Sequence, residues 1–146
     1  MTRARAAAGP RRRAREVALR VAYQADVTGD TFAAVWDGQR EHERLTEDQS
    51  ELVRDVVRAL TARLAEIDDC IRDAAEHWPI ERLSHTDRAA LRAAVAELLA
   101  HPGTPARVVL DESIDLARRY GSDESARFVN GVLDRIARTL RPPEFA

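Results

Sequence analysis

The sequence predicts an all-α fold, a compact bundle of about seven helices, from three observations. Apolar residues recur at three- and four-residue spacing through most of the chain. Helix start and stop residues bracket these stretches. No stretch alternates apolar and polar with the period of a strand. The composition, 45% apolar and 33% charged, is that of a globular chain. A length of 146 residues fits one domain or two small subdomains on a shared core.

Residues 1–10 are rich in Ala and Arg, lack apolar periodicity and end in Gly9-Pro10, which reads as a mobile basic arm. A first helix is expected from about Arg11 to Asp26, carrying Ala14, Val17, Ala18, Val21 and Ala25 and stopped by Thr28-Gly29-Asp30. A short second helix covers Thr31 to Gln39. Thr46-Glu47-Asp48-Gln49 has the form of a capping box. The helix it opens shows Val53, Val56, Val57, Leu60, Leu64, Ile67 and Ile71 on one face, with a break expected near Asp68-Asp69 and an end before Trp78-Pro79.

Ser84 caps a helix from His85 to Ala100, which Pro102-Gly103 stops. Thr104-Pro105 reads as an N-cap followed by Pro at the first helical position, opening a helix to Tyr120. Gly121 suits a left-handed C-cap. Ser122 opens the last helix, and Pro142-Pro143 ends it. The natural division lies near Pro79–Ser84, giving packed subdomains of about 11–80 and 81–146.

Charge is unevenly spread. All 23 basic residues are Arg, and the net charge is −2. Residues 1–20 nevertheless carry +6 and the remainder −8. A basic arm on an acidic body is a pattern that points to nucleic-acid contact. The run Arg11-Arg12-Arg13-Ala14-Arg15 is unfavourable at a helix start, where the dipole prefers acids, and so implies an anionic ligand. The competing reading is a solvated basic face. No apolar run is long enough to span a membrane, and no signal-peptide core follows the basic start, so a cytoplasmic protein is expected.

Catalytic and metal chemistry are not indicated, and no cofactor is expected. Cys70 is the single cysteine. Cys70 and His77 lie about 10 Å apart along a helix, too far for a nucleophile and its base. His42, His77, His85 and His101 lack metal-ligand spacing, and no Gly-rich phosphate loop occurs.

The last helix contains Phe128-Val129-Asn130-Gly131-Val132-Leu133-Asp134, an Asn-Gly pair at mid-helix where Gly costs roughly 1 kcal/mol relative to Ala. Gly131 would permit close approach of another backbone or a ligand. Phe128 either completes the core stripe with Val132 and Ile136 or serves as a base-stacking platform beside Arg127 and Asn130. Upstream stand Asp87-Arg88-Ala89-Ala90-Leu91-Arg92 and Glu112-Ser113-Ile114-Asp115-Leu116-Ala117-Arg118-Arg119-Tyr120-Gly121.

Together with Arg11-Arg12-Arg13-Ala14-Arg15-Glu16, these strings resemble the NusB family of bacterial transcription antitermination factors. The similarity covers roughly Arg11 to Leu140 and is strongest from Leu110 to Ile136. The resemblance implies an all-helical fold of two packed subdomains. It also implies binding of boxA RNA from ribosomal leader transcripts, jointly with the small-subunit ribosomal protein NusE. Other Nus factors and RNA polymerase complete that assembly.

Carried over by motif, Arg11, Arg12, Arg13 and Arg15 match the family's basic RNA-binding start. Phe128 and Asn130 match its RNA-facing segment, and Arg92 and Arg127 join the expected RNA set. Asp87, with Arg88 beside it, matches a position on the NusE-facing side, and Glu124 an acidic position bordering the RNA. Two departures are Ala96, where the family often has an aromatic, and Arg118, where it has Lys. Two alternatives stand beside this reading: the RNA-binding module of an rRNA methyltransferase, if the chain is a fragment, and a helical oligomer without RNA. Monomer and homodimer are both compatible with the sequence.

Overall fold

The computed structural model describes residues 3–146, with side chains from Gly9 onward. Seven α-helices follow in order: α1 (Arg3–Thr28), α2 (Phe32–Gln39), α3 (Glu47–Ala62), α4 (Leu64–Ala74), α5 (His85–Ala100), α6 (Ala106–Tyr120) and α7 (Asp123–Leu140). Short 3₁₀ turns cover Ile80–Arg82 and Pro142–Phe145, and there is no strand among the described residues.

The start of α1 differs from expectation. The expected arm over residues 1–10 falls partly outside the described residues, and from Arg3 on the backbone is helical and runs through Pro10. The Arg11–Arg15 run therefore sits turns inside the helix, so the dipole conflict expected at a helix start does not arise there. At its other end α1 stops as the sequence indicates. Thr28 Oγ1 donates to Gln24 O, and Gly29 turns the chain at φ +83°, a conformation that L side chains rarely adopt.

The capping box is present in full: Gln49 N–H donates to Thr46 Oγ1 (3.1 Å) and Thr46 N–H to Gln49 Oε1 (2.9 Å). The break after it comes at Arg63 and not at Asp68-Asp69. Arg63 leaves helical geometry (φ −128°, ψ 27°) and its guanidinium holds Glu66 through two bonds of 2.9 Å. Re-aiming α4 at this point keeps Ile67 and Ile71 fully buried.

α5 is the central helix, packed against α1, α3, α4, α6 and α7. Its alanines Ala89, Ala90, Ala94 and Ala96 are buried together with Leu91, Val95 and Leu98, so small side chains let neighbouring helices approach from several sides. Ala96 has no exposed surface. One hydrophobic cluster joins buried side chains of both halves of the chain.

Two C-terminal expectations are refined. Pro105, not Thr104, is the N-cap of α6, and the first N–H of the helix, on Ala106, donates to Glu144 Oε1 at 2.8 Å. Gly121 is not left-handed (φ −119°, ψ −101°). A Cβ there would lie 2.7 Å from Ser125 Oγ and 2.9 Å from Ala117 O, so glycine is required by close approach to backbone.

Candidate nucleic-acid interface

The side chains expected to meet RNA divide into two groups. On α1, Arg11, Arg12 and Arg13 are partly exposed, and each faces carboxylates. Arg11 reaches both oxygens of Asp48 at 3.2 Å. Arg12 lies 3.4 Å from Asp115 and 3.8 Å from Glu112 on α6. Arg13 pairs with Glu43 at 2.6 Å and Glu16 at 3.7 Å, and Glu43 also takes Arg20. The hydrogen bonds that Arg11 donates to Asp48 raise the Arg11 pKa and hold the Asp48 carboxyl below its usual range.

Arg15 and Arg92, expected on the RNA surface, are instead engaged in enclosed ion pairs. Arg15 is 6% exposed and donates through Nε and Nη2 to both oxygens of Glu97 on α5, at 2.7 to 3.0 Å. It is four residues from Arg11 and so shares a side with it, but that side has turned into the core by this point. Arg92 forms a two-bond pair with Asp68 (2.9 Å each) and reaches Asp26 at 3.5 Å. These pairs fasten α1, α4 and α5 to one another.

Arg88, expected on a partner surface, is also buried. It donates to Asp26 at 2.7 Å and to the carbonyls of Ile80 (2.7 Å) and Leu83 (3.0 Å), fixing the link between the halves. Burial would raise the Asp26 carboxyl, but hydrogen bonds from Arg88 and His85 outweigh it and hold the group below its ordinary value.

Glu112 behaves in the opposite way. It is buried, its Oε1 has no hydrogen-bond partner, and burial pushes its pKa up despite Arg12 and Arg15. A carboxyl with a raised folded-state pKa costs stability above that pKa and none below the unfolded value. Glu112→Gln is therefore expected to stabilise the protein at pH 7, on the order of 1 kcal/mol. The gain should shrink as the pH falls towards 4.5, the ordinary Glu value. Urea melts at the two pH values check this; an equal or lower stability of the variant at pH 7 contradicts it.

The second group surrounds α7. Phe128 is half-buried, and its ring meets Trp78 edge to face, with centroids 6.4 Å apart at 80°. Phe128 thus packs against the core and also lines the surface. The two rings border a cleft of about 340 Å³ with Arg127, Arg135 and Gly131. Arg127 and Asn130 are exposed, and nothing lies within 4 Å of where a Gly131 Cβ would stand. Arg135 donates to Ala74 O at 2.8 Å and so ties this wall to α4.

Trp78 was legible only as a helix terminator. It is 57% exposed, the largest exposed ring in an aromatic-poor chain, and its signal was a Trp beside Pro79 outside any apolar stripe. The two rings also line a second cleft of about 290 Å³ together with Asp87, near the start of α5, and Glu124, near the start of α7. Asp87 Oδ1 is shielded and unpartnered there. The chain joins both groups: Arg119 (3.2 Å) and Tyr120 at the end of α6 bind Glu16 of α1, and the turn at Gly121 leads straight into α7. Among the described residues no group of His, Cys, Asp and Glu is arranged to hold a metal ion, and no described helix is long and apolar enough to cross a membrane.

The NusB family model matches residues 12–138. A transcription antitermination protein NusB of Syntrophotalea carbinolica is 36% identical, with 93% of this chain and 97% of that protein covered. The corresponding protein of Solibacter usitatus is 42% identical over 91% and 92% of the two chains. Among solved structures, T. maritima NusB superposes with a TM-score of 0.83 at 35% identity, covering 93% of this chain and 96% of that one. A crystal structure of antitermination factors NusB and NusE in complex with dsRNA gives 0.79 at 30% identity, covering 88% and 96%. With its helices, its basic α1 and its Phe-Val-Asn-Gly segment in this arrangement, the chain belongs to the NusB family.

Proposed function

We propose that the protein is a transcription antitermination factor. It binds boxA RNA of ribosomal leader transcripts together with NusE, and joins other Nus factors on RNA polymerase in the cytoplasm. The observation that carries this reading is the cleft lined by the contacting rings of Trp78 and Phe128 together with Gly131, Arg127 and Arg135. Single-stranded RNA is read through splayed bases stacked on aromatic or guanidinium planes while basic side chains hold the phosphates. The cleft supplies the rings; Arg11, Arg12 and Arg13 supply phosphate donors. A solved relative that holds NusE and RNA together supports the same pairing.

The action is that of an adaptor. RNA occupies one surface, and the acidic body, including Asp87 and Glu124 at the second cleft, attracts a cationic ribosomal protein. No bond is made or broken by the protein in this scheme.

Replacing Arg11, Arg12 and Arg13 by Ala is expected to weaken binding of a boxA-like RNA. It should also flatten the dependence of log K on log salt, by no more than about 2, since each lost single-strand phosphate contact removes about 0.7. Fluorescence titrations at several salt concentrations, with and without NusE, measure both. Unchanged affinity and slope would remove the arginines from the RNA surface, and no ternary complex at micromolar concentration would favour a helical oligomer instead.

A further inference from the structure

The carboxylates hydrogen-bonded to Arg11 and Arg12 differ from those hydrogen-bonded to Arg13 and Arg15, although the enclosed Glu112 also lies 3.8 Å from Arg12. Glu97 and Glu43 are enclosed, with side chains 4% and 12% exposed. Asp48 and Asp115 are 57% and 46% exposed. Asp48 accepts from Arg11 alone, whereas Asp115 bridges Arg12 and Arg118 (3.1 Å). Ion pairs this open contribute little to folding, and a rotation about the side chain releases them to water. Arg11 commits Nε and Nη2 to Asp48, and Arg12 commits Nη1 to Asp115. A phosphate arriving at either guanidinium therefore meets a charge already offset and, for a two-bond grip on the engaged edge, must displace the aspartate.

We infer that Asp48 and Asp115 are built-in competitors of RNA phosphate for Arg11 and Arg12, and so set the affinity threshold of the basic face. The inference rests on the RNA-binding reading proposed above. Binding is then an exchange of carboxylate for phosphate. The displaced carboxylate recruits a cation from solution, so each of these arginines contributes less to the salt slope than the roughly 0.7 of an uncompensated contact. The sequence shows a run of positive charge; the structure shows that ligands meet it already neutralised in part.

The test compares wild type, Asp48→Asn/Asp115→Asn, and a control, Asp37→Asn/Glu41→Gln. The control removes two exposed acids that pair with no described arginine. Each is titrated with a boxA-like RNA and with a single-stranded RNA of scrambled sequence and equal length, at several salt concentrations. Circular dichroism melts verify folding. The paired variant is expected to bind both RNAs about 2- to 30-fold tighter, from two exposed ion pairs no longer opposing the exchange. Its salt dependence should be steeper, and the control should stay within about 2-fold of wild type. A paired variant no tighter than wild type, or a control that rises equally, overturns the competitor role and leaves RNA binding standing. A wild-type protein that binds neither RNA overturns both readings.

Discussion

Arg15→Met is expected to cost about 3–5 kcal/mol of folding stability, because it leaves the Glu97 carboxylate buried without a counter-charge. Arg15 has the same residue type and nearly the same sequence setting as Arg11, yet its two-bond pair with Glu97 lies inside the contact of α1 with α5. Its donors are consumed by one carboxylate, so the loss should appear in folding and not in RNA affinity of the folded fraction. Denaturant melts of Arg15→Met, Glu97→Leu and the double variant separate the terms. The double variant should recover most of the loss, since replacing a buried pair with apolar groups is often close to neutral. If Arg15→Met folds with wild-type stability but binds RNA poorly, Arg15 is a contact residue after all.

Phe128→Ala is expected to weaken binding of boxA-like RNA by roughly 5- to 150-fold, the factor corresponding to about 1–3 kcal/mol of base stacking. The ring is half-buried, so part of its loss falls on packing against the core, and Trp78→Ala provides the cleaner comparison because Trp78 is mostly exposed. Gly131→Ala sharpens the argument. A methyl group there meets nothing in the protein and should raise helix stability by up to about 1 kcal/mol. If RNA approaches the cleft at Gly131, the same variant binds less tightly although it folds better. Wild-type affinity in both Trp78→Ala and Phe128→Ala would place the RNA elsewhere.

The local grammar of this fold was legible in the sequence because it is written within a few residues. Thr46 and Gln49, Ser84 and Asp87, and Thr28 beside Gly29 each complete a cap or a turn with near neighbours. What escaped was set across the chain. The Glu144 cap on α6, the enclosure of Arg15 and Arg92, and the compensation of the basic run all join residues tens of positions apart. Periodicity reports which face a residue shares and not what the facing helix carries. The same limit explains Trp78: no spacing rule marks a ring that gains its meaning from Phe128 on another element.

The span of these ion pairs has a consequence for biosynthesis. The chain is made from its N-terminus, so Arg12 leaves the ribosome about a hundred residues before Asp115, and Arg15 well before Glu97. Helix α1 packs against α2 and α3, which emerge early, and against α5 and α6, whose contacts with it must wait for them. Until then the nascent chain displays its arginines without those carboxylates, next to the most concentrated RNA in the cell. Folding, on this account, offsets a run of positive charge that is most exposed while the protein is still being made.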